Sequence, residues 1–187
     1  MEKYEVVRDY AKSILSEERY YHSKCVEERC VEYAKRYNNV DIEKARLVGI
    51  AHDIAKEMPT DEKIKFAKEN NIKINDVEQK SPGLLHGPIG AKICEEKFGF
   101  SKDMVRAIEI HSTGTANMDM LSKILYVSDS TGVDRKYNDT EELHQLALKD
   151  IDQAILRMLD LTIKICLEKN KSIDIKTIEA RNNYLTQ

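Results

Sequence analysis

In DIEKARLVGIAHDIAK, residues 41–56, Asp41 is placed to cap a helix. Ala45, Leu47, Val48, Ile50, Ala51 and Ile54 then nearly surround the axis that follows. A helix that is apolar almost all round has to be buried among other elements. The segment therefore predicts the central helix of a helical protein. Yet the same run ends in AHDIAK, with His52 beside Asp53 and Lys56 three residues later. These are groups that a purely structural helix has no reason to bury.

Outward from this helix, a 3.6-residue periodicity dominates. Tyr4, Val7, Ala11, Ile14 and Leu15 form one stripe, predicting a first helix over Glu2–Leu15. Ser16 looks like the N-cap of a long helix reaching Tyr37. Pro59 ends the central stretch, and Thr60 opens a helix to about Asn70. From Asn71 to Gly87 the pattern is poor, and SPGLLHGP reads as a loop. Pro88 suits the start of a helix ending near Gly99, and Ser101 that of one reaching His111, with Gly114 just beyond as a stop signal. Further helices are expected over Met118–Ser130 and, after a polar connection at Gly132–Asp139, from Thr140 without interruption to about Lys169. Asp174 caps the last helix. With no stretch of convincing alternation and no repeat or linker, the expectation is all-α. It is one domain over 1–187, with a core at about 16–135 and C-terminal helices at about 140–187.

Composition agrees and narrows the function classes. The 187 residues include only seven Gly and three Pro, and 41% are apolar, enough for a substantial core. A formal charge of −3 argues against general nucleic-acid binding, which needs a basic face, while leaving room for a local phosphate pocket. MEKYEVVRDY has no apolar secretory core, and no run approaches the roughly 18 apolar residues of a membrane helix. Cys25, Cys30, Cys94 and Cys166 form no CxxC pair and read as reduced core thiols of a cytoplasmic protein.

Four of the five histidines fall on the ends or buried faces of different elements: His22, His52, His86 and His111. His144, in TEELHQLALKD, reads as a surface residue. Asp53 and Asp129 each follow apolar residues at helical spacing, in AHDIAK and ILYVSDS. Any one of these alone is more often a satisfied core side chain. Together they are costly to bury unpaired, and a divalent cation would satisfy the whole set. Successive helical residues diverge by about 100°, so His52 and Asp53 can share a site only at a helix end facing a cleft. A carboxylate can bridge two cations, which suits a two-metal centre where water is acidified to a metal-bound hydroxide and a phosphoryl oxygen is clamped. Mixed imidazole and carboxylate ligation favours Fe, Mn or Zn over Mg or Ca. Lys56, one turn from His52, can overhang such a site, and Arg19 and Arg135 are further phosphate clamps.

The motifs RYYHSKCV, AHDIAK, LLHGPIGA, IEIHSTGTANM and ILYVSDS, in that order, resemble the HD superfamily of metal-dependent phosphohydrolases, and more narrowly its YqeK family. The resemblance implies an HD-domain helical bundle with a di-iron centre and symmetrical hydrolysis of diadenosine tetraphosphate to two ADP. By motif it also implies that His22, His52, Asp53 and Asp129 hold one metal and His86 and His111 the second, with Asp53 bridging. Lys56 would act on the phosphate beside Asp53, and Arg19, His86, Thr113, Gly114 and Arg135 would contribute to nucleotide or phosphate binding. A homodimer is compatible with it. After Asp129 the family commonly reads along the lines of DYIEPGR; here DSTGVDR keeps Arg135 and lacks the Tyr-Ile-Glu-Pro portion. Rival readings are a phosphohydrolase for another nucleotide or a phosphomonoester, a di-iron oxygenase, and a non-catalytic nucleotide sensor.

Overall fold

The computed structural model describes residues 2–135 and 139–186. Lys136, Tyr137 and Asn138, within the polar connection expected at 132–139, lie outside them. The element order is α1 (Glu2–Ile14), α2 (Glu17–Arg36), α3 (Ile42–Ala51), α4 (Thr60–Glu69), α5 (Asp76–Lys80), a 3-10 turn (Pro82–Leu85), α6 (His86–Phe98), α7 (Lys102–Ile110), α8 (Met120–Thr131), α9 (Thr140–Lys149), α10 (Ile151–Glu168) and α11 (Ile175–Leu185). No strand occurs among the described residues, so the all-α expectation holds. Among them, too, no helix is long and apolar enough to cross a membrane. Cys25, Cys30 and Cys94 are buried free thiols, and Cys166 is free and half-buried.

The Asp41 helix is central, as its composition requires. Its carboxylate accepts from the Glu43 and Lys44 N–H groups, and Ala45, Leu47, Val48, Ile50 and Ala51 are buried against α1, α2, α7 and α8. Each large apolar side chain fully buried this way contributes about 1.5–3 kcal/mol. In turn α2 lies along α3 and α8, and α7 sits between α6 and α8. The ends of α3, α7 and α8 and the start of α6 thus meet beside the first half of α2.

Three local expectations are corrected. Residues 71–87 are not a bare loop: Asn75 and Glu78 form a capping box that starts α5, and Pro82 opens the 3-10 turn leading into His86. The helix from Thr140 is broken at Asp150, which leaves helical geometry (φ −150°, ψ 101°) and accepts from the Asp152 and Gln153 N–H groups. Aspartate competes with the helix through such local bonds, and here it wins, turning α10 back along α9. His144 is buried rather than exposed. Arg29 donates to its Nε2 (2.8 Å), which puts the ring proton on Nδ1, 2.9 Å from the Tyr33 hydroxyl. Tyr33 Oη lies 3.0 Å from Thr131 Oγ1, which donates to the Val127 carbonyl. This chain of bonds ties α9 to α2 and the end of α8.

Candidate metal centre

α3 stops at Ala51, and residues 52–57 form a tight turn. That release from the helix lets neighbouring side chains converge: His52 Nε2 lies 3.6 Å from Asp53 Oδ2. The other Asp53 oxygen, Oδ1, is 3.1 Å from His86 Nε2 and 3.5 Å from His111 Nε2. Asp129, at the end of α8, places Oδ1 3.0 Å from His22 Nε2 and 3.9 Å from His52 Nε2. All six side chains singled out as ligands therefore meet in one place. His22, His52, His86 and His111 pack edge to face, with neighbouring ring centroids 4.8–5.4 Å apart.

What fixes the rings decides their chemistry. His52, His86 and His111 each donate Nδ1–H to the carbonyl three residues earlier, Gly49 (2.8 Å), Gly83 (2.5 Å) and Ile108 (2.7 Å). These rings follow immediately on α3, the 3-10 turn and α7, at helical ends where carbonyls are open to side-chain donors; the Gly83 carbonyl also accepts the His86 main-chain N–H. A neutral ring that spends its proton on Nδ1 presents a lone pair at Nε2. His86 Nε2 and His111 Nε2 then face each other at 3.0 Å, an arrangement that repels unless a positive charge stands beside both. His52 Nε2 and Asp53 Oδ1 are buried without a hydrogen-bond partner among the described residues. A bare ring nitrogen beside a bare buried carboxylate oxygen, among further imidazole and carboxylate donors, is the set a divalent cation needs, so the residues fit a metal. Among the described residues three groups have ligand atoms within 4.8 Å of one another: His22–His52–Asp53, His52–His111–Asp129 and Asp53–His86–His111.

Cationic side chains rim the cluster. Arg19 Nη1 donates to Asp53 Oδ2 at 3.0 Å. Lys56 Nζ lies 3.1 Å from His86 Nε2 and 3.6 Å from Asp53 Oδ1. Arg135 bonds the Asp129 carboxylate and its carbonyl, and reaches His22 Nε2 at 3.2 Å. The remaining two expected residues behave differently. Thr113 turns its hydroxyl to the Gly114 carbonyl and its own carbonyl to Thr177 of α11, while Gly114 (φ +67°) packs on Tyr126 and Leu159. Two residues were not anticipated. Ser112 Oγ lies 3.0 Å from His86 Nε2 and 3.2 Å from His111 Nε2. Asp134 Oδ2 lies 2.7 Å from His22 Nδ1. Asp134 had a faint signal, an acidic residue beside Arg135; Ser112 had only its place beside His111.

Burial pushes His52 and His86 down from the usual 6.5 to about 4, so both are neutral near pH 7. Burial also pushes the Asp53 carboxyl up, but His52, His111 and His86 outweigh it and hold Asp53 well below the ordinary range. Asp129 is likewise lowered, with burial opposed by His22, His52 and Arg135. The histidines protonate near 6.5 when unfolded and only about 4 when folded, so in between the unfolded chain binds more protons and acid favours unfolding. The melting temperature of the metal-free protein should therefore fall steadily from about pH 7 to about pH 5, before the carboxylates begin to titrate. A flat profile across that window would mean the rings titrate in the folded protein as they do in the unfolded chain.

The arrangement matches a known family. The model of the HD domain matches residues 19–153. The chain belongs to the HD domain family. It is a metal-dependent phosphohydrolase of that superfamily, of the YqeK type that its motifs resemble. This HD domain is 33% identical over 174 residues to a symmetrical bis(5'-nucleosyl)-tetraphosphatase of Halalkalibacterium halodurans, covering 92% of each chain. It is 29% identical over 163 residues to the Bacillus subtilis protein of the same name, covering 87% of each. In three dimensions it is similar to the crystal structure of a predicted HD superfamily hydrolase involved in NAD metabolism from Clostridium acetobutylicum. The TM-score is 0.94, with 35% identity over 98% of this chain and 97% of that one.

Proposed function

We propose that this protein hydrolyses dinucleoside tetraphosphates symmetrically, diadenosine tetraphosphate giving two ADP, at a dinuclear metal centre that is most readily iron. The observation that carries the reading is the convergence of His22, His52, Asp53, His86, His111 and Asp129, with His52 Nε2 and Asp53 Oδ1 buried and unpartnered among the described residues and Arg19, Lys56 and Arg135 on the rim. The names of the relatives supply the substrate class. His22, His52, Asp53 and Asp129 would hold one ion, and Asp53, His86 and His111 the other. Such ions supply Lewis acidity toward phosphoryl oxygens and acidify water, and manganese or zinc would provide the same.

The chain's own groups divide the remaining work. Asp53 offers Oδ2 to the His52 side and Oδ1 to the His86–His111 side, so one carboxylate spans both positions. Arg19, Lys56 and Arg135 hold N–H groups at the rim that can bind the polyphosphate, and Lys56, beside Asp53, steadies charge on the oxygens of the phosphoryl group being attacked. Water oxygen joins one inner phosphorus as the central bridging P–O bond breaks, and the departing ADP oxygen keeps the electron pair. Thr113 and Gly114, held between α8, α10 and α11, would shape the nucleotide pocket from behind rather than touch the ions.

Protein loaded with iron or manganese and given diadenosine tetraphosphate should yield ADP alone. AMP with ATP would show a different bond cut and end the symmetrical reading. The NAD association of the Clostridium structure favours one rival, a different nucleotide substrate. Faster turnover of a pyridine dinucleotide in the same assay would select it.

A further inference from the structure

Three of the four converging rings are held by main-chain carbonyls, and the fourth is not. His22 lies inside α2, where the carbonyls of the preceding turn are taken up by the helix itself. Its Nδ1–H can be anchored only by a side chain, and Asp134, from the connection after α8, supplies Oδ2 at 2.7 Å. The path to that position is narrow. A Cβ on Gly132 would stand 2.6 Å from Asp134 Oδ1, so a glycine there is what admits the carboxylate. Asp134 Oδ1 is itself buried with no hydrogen-bond partner among the described residues. A carboxylate placed for stability would satisfy both oxygens; this one leaves an oxygen dry to put the other on His22. Both Gly132 and Asp134 lie in DSTGVDR, the segment in which this chain departs from the pattern DYIEPGR.

We propose that Asp134 is the positioning residue for His22: it fixes the proton on Nδ1, aims Nε2 into the centre, and makes the ion position served by His22 distinct from that served by His86 and His111. This rests on the reading of the cluster as a metal centre. A carboxylate partner makes the opposite ring nitrogen a stronger donor than a carbonyl partner does, and losing such a partner weakens metal binding about 10–100-fold. The His22 position is therefore the one whose affinity depends on a replaceable side chain.

Zinc, which is diamagnetic, is the probe, titrated into metal-free wild type, Asp134→Ala and Asp134→Asn. Wild type is expected to take two ions. In Asp134→Ala one of them weakens about 10–100-fold while the other keeps its affinity. Asp134→Asn keeps the shape and an oxygen that accepts the Nδ1 proton and loses only the charge, so it recovers part of the loss, where a mere packing defect would be repaired in full. In zinc-loaded wild type, long-range proton–nitrogen spectra should place the His22 proton on Nδ1, a readout that stands even where a variant fails to fold. Equal affinities in wild type and Asp134→Ala, or a His22 proton on Nε2, overturn the proposal and leave the metal centre standing. A wild type that takes up no zinc overturns both.

Discussion

Replacing Asp53 with Ala should reduce metal content from two equivalents to at most one and lower turnover below about one thousandth of wild type. Asp53 gives a separate oxygen to each half of the cluster: Oδ2 faces His52 and Arg19, and Oδ1 faces His86 and His111. Its removal leaves His86 and His111 with no carboxylate between them. Without that negative charge, Arg19 and Lys56 also lose the partner that draws them to the rim. Asp53→Asn separates charge from shape, since the amide fills the space without the charge that bridges two cations. Elemental analysis and single-turnover assays on the three proteins, with thermal melts as a control for folding, give the answer. Full metal content and near-normal turnover in Asp53→Ala would remove the bridge, and the dinuclear mechanism with it.

The second large effect is predicted at Gly87, where the fold and the centre meet. A Cβ there would stand 2.7 Å from the Glu109 carbonyl oxygen and 3.2 Å from that of Ile108. Both are backbone atoms of α7 that cannot swing away, so Gly87→Ala must push α6 off α7. Overpacking of this kind costs about 1–3 kcal/mol, or a fall in melting temperature of roughly 3–10 °C in a chain of this size. The damage is also chemical. His86 adjoins Gly87, and the Ile108 carbonyl is the anchor of His111. The ion position built on His86 and His111 should be lost while the His22 position survives. Gly83→Ala is the matched control, because a Cβ there meets nothing within 4 Å. A Gly87→Ala protein with wild-type melting and two tightly bound ions would contradict the close approach.

The six clustered side chains were legible because they break a local rule: imidazoles and carboxylates set into apolar helical runs. The central position of α3 was legible for the complementary reason, its lack of any polar face. What escaped depends on long-range partners or on competition between equal local preferences. His144 sits in a polar-looking stretch, yet Tyr33 and Arg29, more than a hundred residues earlier, supply the bonds that permit its burial. Asp150 lies where helical periodicity continues on both sides, and only packing of α10 against α9 and α8 selects the cap over the unbroken helix. Asn75-Asp-Val-Glu78 was a readable capping box in a stretch otherwise short of pattern.

The carbonyl anchors of His52, His86 and His111 have a practical corollary for anyone building such a centre elsewhere. Gly49, Gly83 and Ile108 act through an oxygen that every amino acid possesses, so their contribution is written in dihedral angles and leaves no letter to copy. Grafting the histidines and aspartates onto a new scaffold would carry over the donors without their aim. The transferable unit is three helical ends, each presenting a carbonyl to the imidazole three residues on.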